Sequence, residues 1–242
     1  MTEEKKQVLV VDDNPLQIKA AEMQFVDGKF DLTTARNYVD AYNWICEKQD
    51  QGKAFYAVLT DLFFPLHEGE WPEHYHRTRQ IGKEQFIEMP FGLPLVFHAA
   101  KNRARYIAVI TDGNHHYDAM VEQLLDRIPK RKTTEGTKNP YLLPQLPYKI
   151  EEAECMFFGI NENFDGNPNE LPKRKCFLID GTPIETEDLE KFWIRDEDTG
   201  LLGYDKKAVA LNPHNKEPIT AKPWKYALET MVLCTTEYKE DK

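Results

Sequence analysis

The chain has 242 residues, 41% of them hydrophobic and 30% charged, with a formal net charge of −10. That is enough apolar material for one large domain or two small ones, and it excludes a chain disordered by composition. The acidic balance argues against a primarily electrostatic binder of nucleic acid or anionic membrane, and the scattered cysteines Cys46, Cys155, Cys176 and Cys234 form no CxxC pair, which leaves neither a zinc ribbon nor a disulfide scaffold. The charged start, MTEEKKQ, runs straight into a strand pattern; no signal-peptide or membrane-spanning run is read, and a reduced, cytoplasmic setting is expected.

Taken in order, Gln7–Val11 is a short β-branched and apolar run closed by Asp12, Asp13, Asn14 and Pro15. This predicts a strand and then a capping turn, with Pro15 in the first turn of a helix. Leu16–Val26 has the density of apolar residues of a buried helix, Phe30–Ala35 reads as a second strand, and Tyr38–Lys48 as a second helix with Val39, Tyr42, Ile45 and Cys46 on one face. After a polar loop, Ala54–Thr60 is a third strand that runs directly into Asp61. Strand, helix, strand, helix, strand implies a parallel sheet covered on both faces.

Leu66–Pro90 breaks this rhythm with a long polar excursion that holds His67, His74 and His76; loops of that length are lids or insertions. The pattern resumes with a helix over Phe91–Ala104, a strand over Tyr106–Thr111 and a helix over Tyr117–Ile128. Beyond Pro129 the chain turns basic and then proline-rich, with short strand candidates at Cys155–Ile160, Cys176–Ile179 and Lys206–Leu211 and a short helix over Glu185–Trp193. The region 129–216 is expected to be an inserted, small β-rich subdomain. Pro218–Lys222 is expected as the last strand of the main sheet, and Pro223–Thr235 as an amphipathic last helix with Trp224, Ala227, Leu228, Met231 and Val232 inward.

The residues that carry chemistry sit at strand ends. An acid at the carboxyl end of a central strand lies where open α/β sheets keep their sites. If the first and third strands are parallel neighbours, Asp12, Asp13 and Asp61 converge, and such a cluster either binds a hard divalent cation or keeps one member protonated. The bland alternative is a helix cap and turn. A transition-metal site among His67, His74, His76, His115 and His116 is a further candidate; adjacent histidines in a strand point opposite ways, so His115 and His116 offer one ligand at most. Cys155 and Cys176 read as buried packing residues. No Gly-rich phosphate loop, GxSxG elbow or HExxH helix is present.

In order along the chain stand an acid pair, an acid, a hydroxyl and a lysine: VLVVDDNP at Val8–Pro15, DLFFPLHEG at Asp61–Gly69, AVIT at Ala108–Thr111 and AKPWKYALETMV at Ala221–Val232. The pattern resembles the receiver domain of two-component response regulators over roughly residues 7–128 and 218–235. The resemblance implies a doubly wound, parallel five-stranded sheet of flavodoxin-like, receiver type. It implies Mg²⁺ held by Asp12, Asp13 and Asp61, with Asp61 as phosphoacceptor, Thr111 bonding the phosphoryl oxygen and Lys222 pairing with it. It also implies a histidine kinase or phosphotransfer protein as donor, a downstream protein target, and a homodimer through the last strand and helices. Three features depart from the pattern: Asp112 follows Thr111 where receivers place a small residue; Lys222 lies far beyond Thr111, so that Lys149 or Lys175 could be its counterpart; and the Leu66–Pro90 excursion adjoins the acceptor. The alternatives are a degenerate receiver that serves as an interaction scaffold and, more distantly, a metal-dependent phosphatase or other hydrolase. The acidic tail with Glu237, Glu240 and Asp241, and the absence of a basic helix-turn-helix pattern after Lys222, argue against DNA as the target.

Overall fold

The computed structural model describes residues 5–66, 90–111, 148–159, 175–195, 202–211 and 218–240. Most of the expected excursion after Leu66, Asp112, His115, His116, the expected helix Tyr117–Ile128, the basic and proline-rich stretch that follows it and the acidic chain end at Asp241 lie outside the described residues. The chain divides into two compact units, Met1–Gly166 with Trp224–Lys242, and Asn167–Pro223.

The first unit is α/β. Its strands are β1 (Lys6–Val11), β2 (Phe30–Ala35), β3 (Ala57–Thr60), β4 (Tyr106–Thr111), β5 (Tyr148–Ile150) and β6 (Ala153–Gly159). Its helices are α1 (Pro15–Gln24), α2 (Tyr38–Asp50), α3 (Gly92–Lys101) and α4 (Trp224–Glu240). The sheet order is β2-β1-β3-β4-β6-β5. All neighbours pair in parallel except β5, which folds back antiparallel on β6 at the edge. β3 and β4 are buried at every position, and β1 over its last four, as continuous apolar runs are in parallel sheets covered on both sides.

Register explains how the two faces are filled. Leu9, Val58, Ile107 and Cys155 stand side by side across four strands, and so do Val10, Leu59, Ala108 and Met156 one residue later. Successive side chains point to opposite faces, so the two rows serve two cores. The first row packs with Ala41 and Ile45 of α2 and with Leu93, Val96, Ala99 and Ala100 of α3. On α4, Trp224, Ala227, Leu228 and Met231 are buried, and the helix packs against α1 and against β3, β4 and β6. Its first turn is fastened to α1: Trp224 Nε1 donates to the Gln17 carbonyl at 3.1 Å and the Lys225 N–H to Gln24 Oε1 at 3.1 Å. Nearby, Lys225 Nζ lies 2.6 Å from Asp27 Oδ2, and that bond holds the Asp27 carboxyl below its usual range.

The last parallel strand corrects the expectation drawn from the lysine. Pro218–Lys222 is not part of this sheet; Ala153–Gly159 is, paired with β4 along its whole length. The stretch with Pro218 makes only single bridges, Leu211 with Pro218 and Cys176 with Thr220, inside the second unit. The physical reason is burial. Ala153–Phe158 is buried throughout, whereas Pro218–Ala221 is half-exposed and its proline lacks a ladder donor.

The second unit has two antiparallel pairs, β7 (Lys175–Phe177) with β8 (Pro183–Glu185), and β9 (Trp193–Arg195) with β10 (Leu202–Tyr204). The predicted short helix is a 3-10 helix over Thr186–Phe192. Gly181 turns the β7–β8 hairpin at φ 78°, and the Thr182 N–H is held by Asp180 Oδ1 at 2.8 Å. Among its described residues Cys176, Leu189 and Val209 form one buried cluster, with Leu178, Ile184, Phe192, Tyr204 and Leu211 packed around it, and Phe177 is also fully buried.

Candidate functional site

β1 and β3 are parallel neighbours, and Val11 stands level with Thr60. The next residue of each strand is therefore an acid, Asp12 on one and Asp61 on the other, at the carboxyl edge of the sheet where open α/β folds bind ligands. The Asp61 N–H donates to the Val11 carbonyl at 2.8 Å and the Asp12 N–H to the Ala35 carbonyl at 3.1 Å, so the ladder holds both backbones. One carboxylate oxygen from each of Asp12, Asp13 and Asp61 lies within 4.8 Å of the others. Asp12 is 1% exposed and Asp61 8%, while Asp13 is half-buried.

Each acid is held by its surroundings. Asp12 Oδ1 accepts the Asn14 N–H at 2.9 Å, and Asn14 in turn caps α1 by accepting the Leu16 N–H at 2.9 Å, with Pro15 starting the helix. The Arg36 guanidinium donates from Nε and Nη2 to the Asp13 carbonyl, at 3.3 and 3.1 Å. Asp61 Oδ1 accepts the Leu62 N–H at 2.7 Å, and the Thr60 hydroxyl donates to the Asp61 carbonyl at 2.8 Å.

The chain after Asp61 is pinned at both ends. Leu62 and Phe64 are fully buried in the core with α2 and α3. The Tyr38 and Val39 N–H groups at the start of α2 donate to the Pro65 and Leu66 carbonyls at 3.0 and 3.1 Å, and the Gly92 N–H donates to the Leu62 carbonyl at 3.0 Å. Gly92 is a site residue that sequence reading missed. A Cβ there would lie 2.3 Å from the Asp61 carbonyl oxygen and 2.9 Å from Leu62 Cα. Its signal is the glycine that opens the apolar helix after the long excursion; Gly69, which ends the DLFFPLHEG motif, lies outside the described residues.

Of the other expected residues, Thr111 closes β4 and is 5% exposed. Lys222 is 2% exposed and belongs to the second unit, Asn167–Pro223. Lys149 cannot stand in for it. It pairs with Glu154 at 3.8 Å, and Glu154 is level with Tyr106, at the opposite end of β4 from Thr111. Five residues of strand separate those ends, roughly 17 Å. Lys175 lies in the second unit, with Glu185 at 4.0 Å. Cys155 is 1% exposed, and burial pushes its thiol up to about 12, which suits packing.

The donor set is one of carboxylate oxygens, two of the three acids being almost wholly buried, and it fits a small hard cation such as Mg²⁺ better than a thiol- or imidazole-seeking metal. Among the described residues no helix is long and apolar enough to cross a membrane. Comparison with family models, curated proteins and solved structures finds no match to this chain.

Proposed function

We propose that this chain is a signal-transduction receiver of the response-regulator kind, switched by Mg²⁺-dependent phosphorylation of Asp61, with its output a protein–protein contact. The observation that carries the reading is the cluster of Asp12, Asp13 and Asp61, two of them buried, at the carboxyl ends of two adjacent parallel strands. The strand order, with β2 and β1 on one side of β3 and β4 and β6 on the other, is that of flavodoxin-like folds and supports the finer fold assignment.

In this reading Asp12, Asp13 and Asp61 hold the cation, and Asp61 is also the nucleophile. Mg²⁺, when bound, supplies charge neutralisation where a carboxylate meets a phosphoryl group. A carboxylate oxygen of Asp61 forms the new P–O bond. The bond from phosphorus to the donor breaks, and its electron pair leaves with the donor. Thr111, at the end of the neighbouring strand, supplies a hydroxyl for the phosphoryl oxygens, and its movement toward them is the switch. The acids and Thr111 all belong to the first unit, and the proposal rests on them alone. The donor in the cell would be a histidine kinase or phosphotransfer protein.

The test is treatment with acetyl phosphate in Mg²⁺, read by intact mass, on wild type and Asp61→Asn. The expected result is a labile phosphoryl adduct on wild type alone, lost when the metal is chelated beforehand. Wild type that binds Mg²⁺ yet takes no adduct would overturn the switch.

A further inference from the structure

Outside the acidic cluster, one group of side chains in the first unit is built around a sulfur. α2 and α3 pack side by side, which brings Cys46 Sγ of α2 to 3.7 Å from His98 Nε2 of α3. The imidazole is clamped. Tyr42, one turn before Cys46, stacks on it with ring centroids 4.1 Å apart and planes 18° from parallel. Asn102, one turn after His98, donates from Nδ2 to the His98 carbonyl at 2.8 Å and lies 3.4 Å from His98 Nδ1. Asn102 is 8% exposed and its Oδ1 has no hydrogen-bond partner, so the amide is committed to His98 through its nitrogen.

That arrangement sets the tautomer. A donor facing Nδ1 leaves the ring proton on Nε2, the nitrogen nearest the sulfur. Burial holds the imidazole below its ordinary range, with the charge of Lys101 adding to the effect against a hydrogen bond with the Tyr42 backbone. The Tyr42 phenol is held above its usual range, first by its hydrogen bond with the Cys46 side chain and then by charge there and by burial. The His98 ring and the Tyr42 hydroxyl thus lie beside one half-buried sulfur. Partial exposure lets a reagent reach that sulfur. Cys155 and Cys176, each 1% exposed, have no such access.

We propose that Cys46 is a modification site, a reactive thiol addressed by peroxides and other soft electrophiles and placed beside His98 and Tyr42. With hydrogen peroxide, the sulfur attacks one oxygen; the S–O bond forms as the O–O bond breaks. The departing hydroxide takes the thiol proton and leaves as water. Sulfur is oxidised to the sulfenic acid and peroxide oxygen is reduced. A small thiol such as glutathione then forms an S–S bond as the S–O bond breaks, and a second water leaves. None of these residues belongs to the acid cluster, so the inference stands apart from the phosphorylation reading.

The experiment is competitive labelling of the whole reduced chain with substoichiometric iodoacetamide, resolved by peptide mapping. Cys234, also half-buried, is the internal reference. Cys46 is expected to label about tenfold faster than Cys234, and His98→Ala to bring it down to the Cys234 rate. His98→Gln, which keeps an amide N–H, is expected to restore part of the difference, and Tyr42→Phe to lose part of it. Slow labelling of Cys155 and Cys176 certifies that each variant is folded; where His98→Ala exposes them, Tyr42→Phe and His98→Gln carry the test. Dilute peroxide with glutathione is expected to place a glutathione mass on Cys46 first. Cys46 labelling no faster than Cys234 overturns the proposal, as does a folded set of variants that all label like wild type.

Discussion

Gly92 shows how one missing side chain can set the geometry of a site. Both atoms that a Cβ would strike, the Asp61 carbonyl oxygen at 2.3 Å and Leu62 Cα at 2.9 Å, are backbone, and neither can swing aside. Gly92→Ala therefore has to push the first turn of α3 off the end of β3, breaking or stretching the bond from the Gly92 N–H to the Leu62 carbonyl. Overpacking of this kind costs about 1–3 kcal/mol. Urea unfolding of Gly92→Ala is expected to show a loss in that range, while Gly203→Ala, with no atom within 4 Å of the added carbon, is expected to stay within about 0.5 kcal/mol of wild type. Equal stability of the two variants would mean that α3 yields freely against Asp61, which would then lack the rigid backing described above. Under the phosphorylation reading, Gly92→Ala also lowers the yield of adduct, because the displaced backbone is that of the acceptor itself.

At the scale of elements, α4 is anchored to α1 through Trp224. Trp224 is fully buried, and its indole N–H reaches the Gln17 carbonyl on α1. Trp224→Phe keeps most of the apolar volume but withdraws that donor, at a cost of about 1–3 kcal/mol; Trp224→Ala adds a cavity and is expected to cost about 3–5 kcal/mol. Denaturant titration of both variants checks the order, and a Phe variant as damaging as the Ala one would place the anchor's worth in the hydrogen bond alone. This helix was legible in the sequence, from Trp224, Ala227, Leu228 and Met231 at helical spacing, as were β1, α1, β2, α2, β3, α3 and β4, because each has a clean period or a closed apolar run. The acid cluster was legible for the same reason: two strands ending in acids, in adjacent positions of a strand-helix-strand order. What misled was the search for a lysine before the last helix, which promoted the residues around Thr220 to a core strand. The stronger signal was the run from Cys155 to Phe158, apolar without alternation, as a parallel strand buried on both faces has to be. Gly92 and the convergence on Cys46 were not legible, since both depend on which helix lies against which, and no local period encodes that.

For the whole molecule, the two units differ in how much burial supports each backbone hydrogen bond. In the first, β1, β3 and β4 are inner strands, covered on both faces and paired on both edges. In the second, each pair of strands has only two members, three residues long, and β9 is exposed at all three positions. Two-stranded ribbons are marginal without a third strand or a sizeable apolar face, and opening free energies range from near zero up to the global value within one chain. Native-state hydrogen exchange, followed by mass spectrometry, is expected to show β9 and β10 exchanging first, β7 and β8 next, and β1, β3 and β4 last, with at least about a hundredfold between the extremes, which corresponds to about 2.7 kcal/mol of local opening free energy. Protection of β9 and β10 equal to that of β3 would mean that the chain opens as one cooperative body, and the second unit would then share the stability of the strands that carry Asp12 and Asp61. The expected order instead leaves the acids on the slowest-opening part of the chain. Under the phosphorylation reading, that order keeps the carboxylate cluster in fixed geometry.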